Sequence, residues 1–286
     1  KLKEAELYTR KAILLKPNYA EVYTYLGHIL SARLKTQEAF ASYLKALEIN
    51  TEVSNIFLYI SRFLSQANLC QLNLLELKNI FNILIEDNNL YHQELFHVFN
   101  FLYSNEIIDN LNKLESNVSF NDLYNYFTKE RIIFQAFKKI IFNNVTLEKS
   151  LAKMRKKFCE IVVKEKGSIN ETGLEIIIAL AEQCFLNEYI YSTTRVEENH
   201  IDYLINVSEN NEINEIYISI IACYFPLYKL LKQLPFLKNH QSLNSNFNEL
   251  IKIQVLEPLE EIELSKDIKQ IGLINDKISK KVQSQY

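Results

Sequence analysis

The stretch ALAEQCFLNEYIY, residues 179–191, carries side chains that could do chemistry. Cys184 could act as a nucleophile, but a catalytic thiol needs a basic partner that lowers its pKa, and no histidine lies near it in sequence. The periodicity of residues 172–192 instead predicts a helix that is apolar on several sides. Its narrower polar strip consists of Glu182, Gln183, Asn187 and Glu188. We interpret the stretch as a buried helix; catalysis by Cys184 is the less favoured alternative.

Three further groups of residues could in principle do chemistry. His92 and His97 are five apart, whereas two metal ligands on one helical face need a spacing of three or four, so ordinary half-buried histidines are favoured. The basic run KMRKKF, residues 153–158, could contact phosphate, although a solvated helix face is the preferred interpretation. The chain has four cysteines and no CxxC pair, which favours a reducing, cytoplasmic setting over a metal or redox motif.

Charge and hydropathy restrict the partners. The net charge of −3 gives no electrostatic case for nucleic acid, which usually needs a strongly basic face. The most apolar run, residues 216–228, is shorter than the roughly 20 residues that span a bilayer and contains Pro226, so it predicts a buried core helix. The first residues, KLKEAELYTRKA, lack the apolar segment of a signal peptide. We therefore expect neither nucleic acid nor membrane as a partner.

Glycine and proline are scarce, with four of each in 286 residues. Hairpin turns between strands favour Asn-Gly and Asp-Gly pairs, which are absent here, so the sequence predicts an all-α fold. Nucleotide and dinucleotide loops also need closely spaced glycines. No GxGxxG or GxxxxGK segment occurs, which argues against a nucleotide or S-adenosylmethionine pocket and predicts no cofactor within these residues.

A helix-turn-helix repeat is predicted over residues 20–53. Small residues would let two antiparallel helices approach closely, while large apolar residues fill the seam. The repeat positions are Tyr23, Leu26, Gly27, Leu30, Ala39, Tyr43 and Ala46. This pattern resembles the tetratricopeptide repeat, and Ala5, Ala12 and Pro17 fit the second half of a preceding repeat. We predict one partial and one full repeat over residues 1–52.

The resemblance implies a peptide-binding surface on the first helix of the repeat. In this register the surface carries Glu21, Thr24, His28 and Ser31. The Lys and Asn pattern of the two-carboxylate clamp is missing at these positions, so that mode of binding is not implied. A solvated face on a purely structural repeat is the alternative interpretation.

Helical periodicity continues beyond the repeat, as in SNIFLYISRFLSQ and LLELKNIFNILIED. We predict an irregular multi-helix bundle or solenoid over residues 53–255, dividing near 116. Helix caps are predicted at Ser119 with Asp122 and at Ser168 with Glu171, and Gly167 suits a helix C-terminus. Residues 256–286 are predicted to form a connector and a linker helix. The acidic, poorly structured part contains Glu257, Glu260, Glu261 and Glu263, and the amphipathic part contains Ile271, Ile274, Ile278 and Val282.

A second resemblance covers nearly the whole chain. The segment Ala179–Tyr189 and the segment Val282–Tyr286 resemble parts of bacterial proteins in which tetratricopeptide repeats precede a class I S-adenosylmethionine-dependent methyltransferase. The resemblance implies that the chain stops where the catalytic domain would begin, so it transfers no catalytic residue, and S-adenosylmethionine would bind only to a longer protein.

Three functional hypotheses follow. The favoured one is a non-catalytic module that presents a protein or peptide substrate to a methyltransferase on the same polypeptide. The alternatives are a free-standing helical adaptor or homo-oligomerisation unit, and an enzyme with an unrecognised helical active site.

Overall fold

The structure is a computed structural model that describes residues 1–51, 55–115, 120–164, 169–210, 213–268 and 276–283. Every regular element within these ranges is helical, and none of them is a strand. The predicted all-α fold class is confirmed. The sparse glycines and prolines fit a helical chain, because both residue types are unfavourable inside a helix.

The α-helices are short to medium in length. Their bounds are α1 Leu2–Leu15, α2 Ala20–Ala32, α3 Thr36–Ile49, α4 Ile56–Gln66, α5 Leu74–Glu86, α6 Phe96–Phe99, α7 Asn105–Glu115, α8 Phe120–Lys129, α9 Ile132–Lys139, α10 Val145–Lys164, α11 Glu171–Leu186, α12 Arg195–Asn210, α13 Glu215–Ala222, α14 Ser245–Ile251, α15 Glu257–Ser265 and α16 Lys277–Gln283. Two π-helical segments, Asn100–Ser104 and Lys252–Leu256, join α6 to α7 and α14 to α15. Short 3₁₀ segments occupy Leu69–Gln71, His92–Leu95, Leu227–Leu230 and Pro235–Lys238.

Helices α2 and α3 form a tight antiparallel hairpin. At Gly27 an added Cβ atom would lie 2.6 Å from Cε1 of the Tyr43 ring, so only glycine allows this approach of the two helices. The seam between them is buried, with Leu26, Leu30, Ala39, Tyr43 and Ala46 all inaccessible to solvent or nearly so. The helix-turn-helix predicted over residues 20–53 is therefore present in the described part of that range, residues 20–51.

The turn between α2 and α3 has an unusual residue at its centre. The Leu34 N–H donates to the Ser31 carbonyl at 2.9 Å and the Lys35 N–H donates to the Leu30 carbonyl at 3.0 Å, which is the Schellman pattern at a helix C-terminus. Leu34 adopts the left-handed conformation with φ of 59°. Glycine or asparagine is normally found at such a position because a side-chain Cβ atom is strained there.

A network of salt bridges joins helix α1 to this hairpin. The carboxylate of Glu6, which is buried, accepts from Arg10 at 2.9 Å, from Lys35 at 3.3 Å and from Arg33. Arg10 also contacts Glu38 on α3 at 2.5 Å. Several cations around one buried carboxylate offset its loss of hydration, so the network fixes α1 against α2 and α3.

Helix α11 lies inside the helical core and packs against α8, α9, α10 and α13. Its residues 176–181 are all buried, in agreement with the helix predicted to be apolar on several sides. The predicted polar strip of this helix does not lie at the surface, because Glu182, Gln183 and Asn187 are buried as well. Gln183 Nε2 donates to the Ile140 carbonyl at 3.0 Å, and Lys138 Nζ lies 3.5 Å from Glu182 Oε1. Neighbouring helices therefore cover this strip and supply polar partners for it.

The bounds of α11 also differ from the prediction. Asn170 is the N-terminal cap, since its side-chain oxygen accepts from the Gly173 N–H at 2.8 Å. The helix ends at Leu186 instead of continuing to residue 192, because Glu188 and Tyr189 both have positive φ angles. Ser119, Gly167 and Ser168 lie outside the described residues, and the side chain of Asp122 is not described.

The chain divides into two compact units, Lys1–Phe225 and Pro226–Tyr286. The division falls at Pro226, whereas the sequence predicted an all-helical domain over residues 53–255 that divides near 116. In the second unit the core contains Leu227, Leu237, Phe247, Leu250 and Val255, all fully buried.

The predicted acidic connector is wrong, because residues 257–265 form helix α15. Pro258 directly follows the π-helical segment Lys252–Leu256, so α14, this segment and α15 form one continuous helix in which a π-bulge precedes the proline. Of the predicted linker helix, Ile271 and Ile274 lie outside the described residues, and the side chains of Ile278 and Val282 are not described.

The apolar run at residues 216–228 contains α13, whose residues Ile218, Ile220 and Ile221 are fully buried, as predicted for a core helix. In the described ranges of the chain, no helix combines the length and apolar character needed to cross a bilayer.

Candidate functional site

A groove of about 660 Å³ lies where α2, α3 and α4 meet. Helix α2 contributes His28 and Ser31, α4 contributes Tyr59 and Arg62, and the turn after α2 contributes Leu34. The remaining lining residues are Thr36, Tyr43, Phe63, Gln66, Ala67, Asn68 and Gln71. We call this the α2–α4 groove. Its volume is in the range that holds small ligands or a few residues of a peptide.

Aromatic rings surround His28 in the groove. His28 Nδ1 and the Tyr43 hydroxyl share a hydrogen bond at 3.0 Å, and the ring of Tyr59 lies edge-on with its centroid 4.6 Å from that of His28. Burial lowers the pKa of His28 and raises the pKa of Tyr43 to about 12. Both groups are therefore uncharged at neutral pH, and the groove presents His28 as a neutral imidazole.

Arg62 supplies the permanent positive charge of the groove. Its side chain is 62% exposed, and Nε approaches the Glu94 carboxylate at 3.7 Å, which is longer than a hydrogen bond. The other oxygen of the Glu94 carboxylate accepts from the Ser61 hydroxyl at 2.8 Å. No carboxylate stands among the described residues that line the groove. The guanidinium thus has hydrogen-bonding capacity to offer a ligand.

The four predicted binding residues do not share one surface. His28 and Ser31 line the groove, and Glu21 is exposed. Thr24 is buried, and its hydroxyl donates to the Ala20 carbonyl at 3.4 Å on its own helix. Among the predicted structural positions Tyr23 is only half-buried and lines a second groove, with Arg10, Leu14, Leu26 and Lys45.

Sequence reasoning missed Leu34, Tyr59 and Arg62. Leu34 is the apolar residue of the otherwise polar segment LKTQ, residues 34–37, and this exception was its signal in the sequence. Tyr59 and Arg62 gave no comparable signal, because α4 follows the predicted repeat and its position against α2 depends on tertiary packing.

A second polar cluster is buried between α10, α12 and α13. Arg155 donates to the Ser192 carbonyl at 2.8 Å, lies 3.5 Å from Glu197 Oε1 and stacks on the Tyr224 ring at 4.1 Å from its centroid. Only 1% of the Arg155 side chain is exposed. The basic run at residues 153–158 is therefore not a simple solvated face, because its arginine points into the core.

Glu197 completes this cluster and also begins α12. Its carboxylate accepts from the Thr194 N–H at 2.9 Å, the Thr194 hydroxyl at 2.7 Å and the Tyr224 hydroxyl at 2.9 Å. Burial alone raises the pKa of Glu197, but the hydrogen bonds from Thr194 and Tyr224 and the Arg155 charge lower it below the ordinary value. The Thr-x-x-Glu spacing of residues 194–197 is a capping-box signal, and the structure shows that it begins α12.

Cys159 and Cys223 lack the environment of a nucleophile. Cys159, Cys184 and Cys223 are buried and reduced, whereas Cys70 is exposed. Burial raises the pKa of Cys159 to about 12, and burial together with the neighbouring Cys184 thiol raises the pKa of Cys223. A nucleophilic thiol needs the opposite shift. In the described part of the chain, no three His, Cys, Asp or Glu side chains are grouped as metal ligands.

No protein-family model, curated protein or solved structure matches this chain. The resemblances to tetratricopeptide proteins and to repeat-linked methyltransferases therefore depend on the sequence segments quoted above.

Proposed function

We propose that the chain is a protein-recognition and scaffolding module and that the α2–α4 groove binds a short extended segment of a partner protein. The observation that carries this proposal is the groove itself, which combines an aromatic floor with exposed amide side chains. Gln66, Asn68 and Gln71 can both donate to and accept from a peptide backbone. The half-buried ring of Tyr59 can contact a ligand side chain, whereas the rings of Tyr43 and Phe63 are buried in the groove wall.

The buried thiols support a non-catalytic role for this chain. At neutral pH Cys159 and Cys223 stay protonated, because burial raises their pKa values. Glu197 and Arg155 are occupied by each other and by Thr194, Ser192 and Tyr224. These contacts favour a structural role for the buried polar groups.

Peptide display tests the proposal directly. A random peptide library is selected on the full chain, and the selected peptides are then measured against Ser31→Trp, which fills the groove, and against Ala32→Trp. Ala32 is exposed on the same helix and does not line the groove, so it is the matched control. We expect binding to be lost in Ser31→Trp and kept in Ala32→Trp. A selection without groove-dependent binders would overturn the proposal.

The wider proposal is that this module serves a methyltransferase on the same polypeptide. The likeness of Ala179–Tyr189 and Val282–Tyr286 to repeat-linked methyltransferases supports it. Intact mass and C-terminal sequencing of the native protein test it: a product that continues into a glycine-rich segment and binds S-adenosylmethionine is the expected result. A native protein that ends at Tyr286 would contradict it.

A second candidate function is self-association through α1. This helix exposes Leu7, Tyr8, Leu14 and Leu15, and exposed large apolar residues on one element commonly mark interaction sites. Light scattering over a range of concentrations should show a dimer that Leu14→Glu dissociates. Leu243→Glu, which changes another exposed leucine, is the control. A concentration-independent monomer mass would exclude this function.

A further inference from the structure

Leu34 is an outlier that the fold does not require. It adopts φ of 59°, where a leucine side chain is strained, and yet 88% of the residue is exposed to solvent. Because it buries so little apolar area, packing within the chain does not offset the strain. Glycine or asparagine would complete the same Schellman turn without this strain. A strained residue without a structural benefit points to a function at that position.

The position of Leu34 suggests what that function is. Leu34 lines the α2–α4 groove together with Arg62. The groove thus has an exposed apolar side chain and an exposed guanidinium, with aromatic rings between α2 and α4. A ligand that contacts both side chains must carry an apolar group and an anionic group.

The charge of the site selects among anions. Arg62 lies 3.7 Å from Glu94, so part of its positive charge is already compensated. A singly charged carboxylate matches this partly compensated guanidinium better than a phosphate, which carries nearly two negative charges. The neutral state of His28 adds no second cation at neutral pH.

We propose that the α2–α4 groove recognises a partner segment in which an Asp or Glu side chain binds Arg62 and a neighbouring apolar side chain packs on Leu34. This inference rests on the proposed function and specifies the chemical class of its partner. Arg62 and Leu34 would act as specificity residues: the first selects the charge and the second selects the apolar neighbour.

The test uses labelled peptides taken from the groove-dependent binders described above. We expect these binders to be enriched in Asp or Glu beside an apolar residue, and replacing that acid by its amide should weaken binding about tenfold, as for loss of a charge-assisted hydrogen bond. In Arg62→Gln the acid and amide peptides should bind equally. Lys45→Gln, which removes a cation outside this groove, should keep the tenfold difference.

Leu34→Asn gives an independent readout. Its thermal midpoint should stay equal or rise, because asparagine tolerates the left-handed conformation, while the acidic peptide binds several-fold more weakly. Unchanged affinity, or an acid–amide difference that persists in Arg62→Gln, would overturn the inference. Groove-dependent binders without any acidic preference would refute only this inference. The absence of any groove-dependent binder would refute the proposed function with it.

Discussion

Gly27 and Tyr43 set the distance between α2 and α3. A Cβ atom at position 27 would come within 2.6 Å of the Tyr43 ring, and the ring is fixed by burial and by its hydrogen bond to His28. The same ring forms part of the α2–α4 groove. A single close contact therefore links the packing of the hairpin to the shape of the candidate site.

Gly27→Ala should destabilise the chain although alanine favours helix formation by about 1 kcal/mol. Displacing a buried ring usually costs about 1–3 kcal/mol, so we expect a net loss and a lower thermal midpoint. Gly27→Leu should cost more. Ala32→Leu, at an exposed position of the same helix, is the control and should melt like the original protein. Calorimetry of the three variants would disprove this packing if Gly27→Ala were more stable than the parent.

The lowered pKa of Glu197 predicts how the free energy of unfolding depends on pH. Its pKa is lowered in the folded chain, so its contribution is present above the unfolded pKa of about 4.3 and is lost as pH falls through the lower folded value. Glu197→Gln should therefore be less stable than the parent at pH 7, and the difference should shrink below about pH 4. Urea denaturation at a series of pH values measures this. A difference that stays constant from pH 7 to pH 3 would contradict the assignment.

At the level of elements, Arg155 holds three parts of the chain together. It extends from α10 to the Ser192 carbonyl ahead of α12, to Glu197 in the first turn of α12 and to Tyr224 just after α13. Lysine could not reproduce this arrangement, because it lacks the planar guanidinium that both donates and stacks.

Arg155→Met should lower the free energy of unfolding by about 3–5 kcal/mol, because it leaves the Glu197 carboxylate buried without its cation. Adding Glu197→Gln to Arg155→Met should then cost less than Glu197→Gln alone, and a double-mutant cycle in urea measures the coupling. Lys157→Met, on the same helix, provides the comparison. Additive effects of the two core substitutions would show that Arg155 and Glu197 do not interact.

The elements were predicted well where periodicity was regular. Apolar spacing predicted α4 and α5, since each buries one continuous face. It failed for α15, because proline and a cluster of acids suggested a break, whereas the helix continues from the π-helical segment Lys252–Leu256 through Pro258. It also failed at the end of α11, where Glu188 and Tyr189 adopt positive φ angles without the glycine that usually marks such a turn.

For the whole molecule, the limit of prediction was long-range packing. The repeat register predicted two residues of the groove, His28 and Ser31, because both lie on one helix of a recognisable pattern. Tyr59 and Arg62 reach the same groove through the docking of α4, which no local pattern encodes. The division at Pro226 was missed for the same reason, since compactness depends on contacts between distant segments.

The four cysteines can be used to measure local unfolding of the protein. Cys70 is exposed, while Cys159 in α10, Cys184 in α11 and Cys223 after α13 are fully buried. Mass spectrometry after brief maleimide treatment should therefore find one label on the folded chain and four after denaturation. The rate at which each buried thiol gains a label measures how often its helix leaves the core. Early labelling of Cys184 would show that α11 is not as firmly held as its burial indicates.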